Sequence, residues 1–142
     1  MGRVSGKVAL VTGAASGIGK AVAMMLAREG AAIAATDIDS EGGAATVAAI
    51  GDNARFIAHD VTDEDAPQRI TARLLEEFGG VDIVVHNAGI TRDKMLANMT
   101  EDRWDLAVDV NLGAVVRITE ALCEGALRPQ GRVICLSSIA GL

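Results

Sequence analysis

Apolar residues fall along this chain in short unbroken runs and in longer stretches interrupted by polar positions, and the two kinds of block alternate. The first run, residues 8–11, ends in a glycine-rich turn, Thr12-Gly13-Ala14-Ala15-Ser16-Gly17-Ile18-Gly19. An apolar helical segment follows over residues 20–29, with Gly30 where a C-cap glycine belongs. Residues 32–36, 55–59, 82–86 and 132–136 read as four further strands. Between them, Ser40 is placed to cap a helix through Ile50 that Gly51 ends. Thr62 and Asp65 stand at capping-box spacing for a helix to Phe78, stopped by Gly79-Gly80. After a polar loop over residues 91–98, Thr100 is the expected N-cap of a long helix reaching Gly125, with Glu101 and Asp102 in its first turn.

The order is strand-helix five times over, less the last helix, in one domain spanning residues 1–142 and without a linker or repeat. Strands that alternate with helices pair in parallel through right-handed crossovers, which predicts an α/β fold: a Rossmann-type doubly wound parallel sheet in three αβα layers. Such sheets bind ligands beyond the carboxyl ends of their strands. Each glycine or polar cluster in this chain lies at such an end.

Half of the 142 residues are hydrophobic and 23% are charged, which suits a packed core and excludes a disordered chain. Two Phe, one Trp and no Tyr leave the interior to Ala, Val, Ile and Leu, as parallel sheets prefer. A net charge of −6 without any basic run argues against nucleic-acid binding. The most lipid-like stretch, residues 21–27, is far too short to span a membrane. The first residues have no apolar export segment, so a cytoplasmic protein is expected. Cys123 and Cys135 have no metal-ligand spacing and are expected as reduced thiols in the core, with no metal site. Arg92, Lys94, Arg128 and Arg132 are interspersed with acids and read as a solvated mixed-charge surface. Trp104 is expected to pack at the start of the long helix, and Met24 and Met25 to fill core gaps.

A glycine turn between a strand and a helix lets backbone amides approach a diphosphate at the positive helix end. Gly13 forms the tight turn, Gly17 allows close approach, and Gly19 lets helix and strand pack. Asp37 closes the second strand, where a carboxylate accepts hydrogen bonds from the adenosine ribose and repels a 2′-phosphate. No Arg or Lys lies in the ten residues after it, so the expected cofactor is NAD(H) in preference to NADP(H).

Together, Thr12-Gly13-x-x-x-Gly17-x-Gly19, Asp60-Val61, Asn87-Ala88-Gly89, Asn111 and Ser137-Ser138 resemble the short-chain dehydrogenase/reductase family, in the right order along the whole chain. The resemblance implies that Ser16 and Ile18 share the glycine turn's cofactor contacts and that Asp60 and Val61 hold the adenine. It also implies that Asn87, Ala88 and Gly89 line the cofactor cleft. By the same resemblance, Ser138 bonds the substrate oxygen, while Asn111 kinks the long helix and holds a water in a proton relay. Residues 89–94 with Trp104-Asp105 and Val110-Asn111-Leu112 look most like the 3-oxoacyl-[acyl carrier protein] reductases. That implies a carrier-bound or small-molecule 3-oxoacyl thioester as substrate and a homo-oligomer. Another short-chain alcohol or hydroxysteroid dehydrogenase, or a non-catalytic dinucleotide-binding module, stays open. His86 stands where the family commonly has Asn and reads as a tolerated variation.

In the family a Tyr-x-x-x-Lys pair follows the serine by about a dozen residues and supplies the general acid. Here only residues 139–142 follow, and no tyrosine occurs at all. The expectation is the N-terminal part of a longer reductase, inactive alone, since a positioned general acid is worth ~10²–10⁴ in rate. Its fifth strand becomes an exposed edge. Val108, Leu112, Val115, Val116, Ile118 and Leu122 then include faces turned toward other elements or a partner subunit.

Overall fold

A computed structural model describes residues 2–89 and 98–138; Arg92, Lys94 and most of the polar loop, together with residues 139–142, lie outside the described residues. Five strands, β1 (Val8–Thr12), β2 (Ala32–Asp37), β3 (Ala54–Ala58), β4 (Val81–His86) and β5 (Leu127–Cys135), form one parallel sheet in the order β3-β2-β1-β4-β5. The helices are α1 (Gly17–Arg28), α2 (Ser40–Ile50), α3 (Ala66–Phe78), α4 (Glu101–Val108) and α5 (Ala114–Gly125), the last two joined by a π-helical turn, Asp109–Gly113.

Side chains of a strand alternate between faces, and along β1, β2 and β4 both faces are largely apolar and covered. Val8, Leu10, Ala34, Ile57 and Val84 pack with Ile70 and Leu74 of α3 and with Ile118 and Leu122 of α5. On the opposite face Ala9, Val11, Ile33 and Ala35 meet Ala23 of α1, with Val47 and Ile50 of α2 against the same layer. This is the three-layer doubly wound arrangement. Small side chains let α2 come close: a Cβ at Gly43 would stand 1.9 Å from the Phe56 ring.

Several local expectations are corrected. Ser40 is the first helical residue of α2, and the cap is Asp39, whose Oδ1 accepts the Gly42 N–H at 3.0 Å. Thr62 does not cap α3, because its amide and hydroxyl both donate to Asp60 Oδ1 and close a turn before the helix. Thr100 does cap, accepting the Arg103 N–H. Cys123 and Cys135 are free but exposed rather than in the core. Met25 and Trp104 are also exposed and fill no gap. Ile118 and Leu122 are core residues, whereas Val108, Leu112 and Val116 face outward. β5 is an edge with Val133 and Ile134 exposed, and it starts earlier than the pattern suggests. Leu127 pairs with Val81, residues 128–131 bulge out, and pairing resumes at Arg132.

Arg128 is no solvated surface charge. Its guanidinium donates to Asp82 Oδ2 (2.9 Å) and to the Phe78 carbonyl (2.8 Å), and the same carboxylate oxygen accepts the Val8 N–H at 2.8 Å. This clasp joins β1, β4 and β5 at the end of the sheet remote from the glycine turn. Removing a mostly buried carboxylate strands both donors, so Asp82→Ala is expected to cost about 2–3 kcal/mol in urea unfolding. An unchanged midpoint would show that the clasp contributes nothing.

Candidate functional site

The carboxyl ends of β1, β2, β3 and β4 open into a cleft of about 480 Å³, whose far wall is made by Leu106 and Val110 of the long helix. Three sets of backbone ties shape it. Thr12, closing β1, has its hydroxyl 3.0 Å from the amides of Asn87 and Ala88, which donate to it. Asn87 in turn donates through Nδ2 to the carbonyls of Thr12 (3.1 Å) and Gly13 (3.2 Å). The β1 and β4 ends are thereby held together, although 75 residues separate them in sequence.

The second set turns the glycine loop toward β2. Ala14 N–H donates to the Thr36 carbonyl (3.0 Å), Ala15 N–H to Asp37 Oδ2 (2.9 Å), and the Thr46 hydroxyl of α2 to the Ala14 carbonyl (2.9 Å). Asp37 Oδ1 accepts the Asp39 N–H at 3.0 Å. Both carboxylate oxygens are therefore positioned by backbone, yet each keeps capacity for a further donor. The third set is the Asp60–Thr62 turn beyond β3. The Thr62 hydroxyl, and after it the Thr62 amide, hold the Asp60 carboxyl below the usual carboxylate range.

The glycines are required individually. Gly13 has φ +67°, and a Cβ there would sit 2.8 Å from Asn87 Nδ2. At Gly19 a Cβ would lie 2.1 Å from the Gly13 carbonyl oxygen, so α1 can seat against the turn only without a side chain. Gly17 differs: φ is +55° and nothing stands within 4 Å of its Cβ position. A helix cannot satisfy its own first amides, and Ser16 at the N-cap makes no side-chain cap bond. The start of α1 is thus a donor-rich, positively polarised end beside open space, the chemistry that suits a diphosphate.

Of the sequence-predicted cofactor residues, Gly13, Ser16, Asp37, Asp60, Val61, Asn87, Ala88 and Gly89 line the cleft. Gly17, Ile18 and Gly19 form the first turn of α1 at its margin, Ile18 exposed and Gly19 buried. Asn111 lies in the π-helical turn, and its Oδ1 is 3.0 Å from where a Gly89 Cβ would be, so it borders the same wall. Ser138 follows β5, past the point where Leu136 N–H donates to the His86 carbonyl, and does not line the cleft. Reading the sequence missed Thr36, Ile38, His59, Thr62, Leu106 and Val110, all at the cleft. Ile38 carried a signal, an apolar residue just past a strand end; here it is 71% exposed.

Two imidazoles are buried. His86 Nε2 lies 2.8 Å from the Thr119 hydroxyl, so this departure from the common asparagine links β4 to α5. Burial lowers its pKa, and burial likewise lowers that of His59. Among the described residues no group of three or more His, Cys, Asp or Glu side chains could hold a metal ion, and no helix is long and apolar enough to cross a membrane.

Residues 7–142 match the family described as short chain dehydrogenase. The chain is 42% identical over 139 residues to a 3-oxoacyl-[acyl-carrier-protein] reductase FabG of Vibrio cholerae, covering 97% of this chain and 57% of that protein. It is 38% identical over 137 residues to the protein of the same name from Escherichia coli (96% and 56%), and 38% over 144 residues to that of Thermotoga maritima (99% and 58%). The chain therefore spans somewhat more than half the length of these relatives.

Proposed function

Because this chain belongs to the short-chain dehydrogenase family, we propose that its cleft binds NAD(H) and that the whole protein reduces a 3-oxoacyl thioester to the 3-hydroxyacyl form. The observation that carries the reading is the convergence of α1's open N-terminus, the oriented Asp37 carboxylate and the Asp60–Thr62 turn on one cleft. The amides from Gly17 to Gly19 hold the diphosphate, Asp37 accepts the adenosine ribose hydroxyls, and Ile38 with Val61 flanks the adenine. Asp37 also sets NAD(H) above NADP(H), since a 2′-phosphate would meet its charge with no Arg or Lys among the ten residues that follow to offset it.

When bound, the nicotinamide supplies a hydride to the substrate carbonyl. The chain's own part is positional and electrostatic. Ser138 donates its hydroxyl to the carbonyl oxygen as charge develops there, and Asn111 holds a water that relays a proton. The general acid is not on this chain, which contains no tyrosine. The 142-residue polypeptide is therefore a nucleotide binder without turnover. A carrier-bound acyl chain is the substrate class to which the relatives' names point. The exposed stripe Trp104, Val108, Leu112 and Val116, four residues apart along α4, the π-helical turn and α5, supports a homo-oligomer.

A dinucleotide-binding module without chemistry of its own is the other reading that the same cleft serves. Calorimetric titration with NAD+ tests what both share: a saturable 1:1 isotherm is expected, and none at all would remove both. Following NADH absorbance with a 3-oxoacyl thioester then tests the rest. No sustained oxidation is expected of this polypeptide, and steady turnover would show that a general acid had been overlooked.

A further inference from the structure

His59 sits where β3 gives way to the Asp60–Thr62 turn. It is only 7% exposed, its backbone N–H donates to the Asp37 carbonyl at 3.2 Å, and it lines the cleft. Strand alternation puts its ring on the Ile57 side of the sheet, under α3. Nδ1 lies 3.4 Å from the Ile57 carbonyl, and Nε2 has no hydrogen-bond partner although it is shut off from solvent. A neutral imidazole tolerates this, with Nδ1 carrying the proton and an idle lone pair on Nε2. The imidazolium does not, because both nitrogens become donors and Nε2–H would then be a buried cationic donor without an acceptor.

The charged groups around it do not relieve that strain in place. From α3 Arg69 opposes a second positive charge, while Asp60 and Asp63 in the following turn favour it. From β2 the Asp37 carboxylate is turned toward the Ala15 and Asp39 amides. Asp60 Oδ1 holds Thr62, and Asp63 pairs with Arg69 at 3.0 Å. A protonated ring that turned toward either acid of the turn would leave this site, which adjoins the backbone of Asp60 and Val61. Those are cleft-wall residues.

We propose that His59 makes nucleotide binding acid-labile, the cleft wall beyond β3 holding its binding conformation only while this buried imidazole is neutral. The inference rests on the nucleotide reading given above. Its sign follows from linkage. The closed form binds a proton less readily than the open form, whose imidazole titrates near the ordinary 6.5, so the closed form is favoured in full above that value. It is lost as the pH falls through the lower value of the closed state. Where only the neutral form binds, each further pH unit weakens affinity about tenfold, as the competent fraction shrinks.

The test is calorimetric titration of the 142-residue chain with ADP-ribose, a diphosphate diester that carries the adenine half of the ligand and does not itself titrate in the window. Between about pH 8 and about pH 5.5 the dissociation constant of the unaltered protein is expected to rise severalfold, up to about tenfold. In His59→Asn, which keeps a donor for the Ile57 carbonyl, and in His59→Leu, the ratio between the two pH values is expected to fall to within about twofold. His86→Asn, at the imidazole bonded to Thr119, keeps the full acid loss. A pH-independent affinity in the unaltered chain overturns the proposal, as does acid loss that survives in both His59 variants or disappears in the His86 variant. Absence of binding at about pH 8 is a different failure, since it removes the nucleotide reading and this inference together.

Discussion

Gly17→Ala is expected to leave the chain folded, with a stability loss near 1 kcal/mol, and yet to weaken NAD+ binding by about a hundredfold. The two effects separate because of where the new methyl goes. At Gly17 it meets no protein atom within 4 Å, so the folded state bears only the cost of a positive φ. The space it enters is the space beside α1's first amides, where a diphosphate must come within hydrogen-bond distance of the backbone. Gly19→Ala reverses the balance. Its methyl would sit 2.1 Å from the Gly13 carbonyl oxygen and 2.4 Å from Asn87 Nδ2, and neither can yield without moving the β1 turn. That variant is expected to lose about 3 kcal/mol or more and to bind nothing measurable. Urea unfolding and calorimetry on the same preparations read both quantities. Undiminished affinity in Gly17→Ala would show that no diphosphate lies over this turn.

The second large effect concerns the choice between nicotinamide dinucleotides. Two like charges about 4 Å apart at an effective dielectric near 20 repel by a few kcal/mol, which corresponds to about 10²–10³ in affinity. The unaltered chain is expected to prefer NAD+ over NADP+ by at least about a hundredfold on this ground. Asp37→Ser removes the charge but also the acceptor for the Ala15 amide, so both cofactors should weaken. Asp37→Ser combined with Ile38→Arg restores a group that the 2′-phosphate can pair with, at an exposed position on the cleft rim. The pair of changes is expected to invert the preference. Competition titrations with NAD+ and NADP+ decide it, and a preference indifferent to Asp37 would assign selectivity elsewhere.

Much of the arrangement was legible along the chain because its causes are local. The alternation of apolar runs with amphipathic segments marked all five strands and their order of use. Gly13, Gly17 and Gly19 could be given separate roles because the turn's backbone needs differ residue by residue. Thr100 was recognised as a cap for the same reason. The misplacements were equally local in kind. Ser40 yielded to Asp39 one residue earlier, and Thr62 was taken by Asp60 before it could serve a helix. Either residue type is a good cap, and only the backbone's path decides between neighbours.

Other features had no local cause. Nothing near Thr12 announces that its hydroxyl will accept two amides from a segment 75 residues away, nor that Asn87 will answer across the same gap. Arg128 has the same sequence character as Arg132, but one is locked to Asp82 and the Phe78 carbonyl while the other is exposed. His59 is a polar residue at a strand end, as Asp37 is, yet Asp37 is only half-buried whereas His59 is buried. Its burial follows from the packing of α3 over β3, which no window of the sequence contains.

By itself, then, the sequence determined the strand and helix order, the glycine turn with its need for bare backbone, and a carboxylate at the end of the second strand. Each follows from steric and hydrogen-bonding rules that act within a few residues. The tertiary structure alone decided the sheet order that brings four strand ends to one cleft, the backbone amides that aim Asp37, and the enclosure that leaves His59 Nε2 without a partner. These depend on contacts between segments far apart in the chain, where burial and hydrogen-bond geometry are properties of the packed whole.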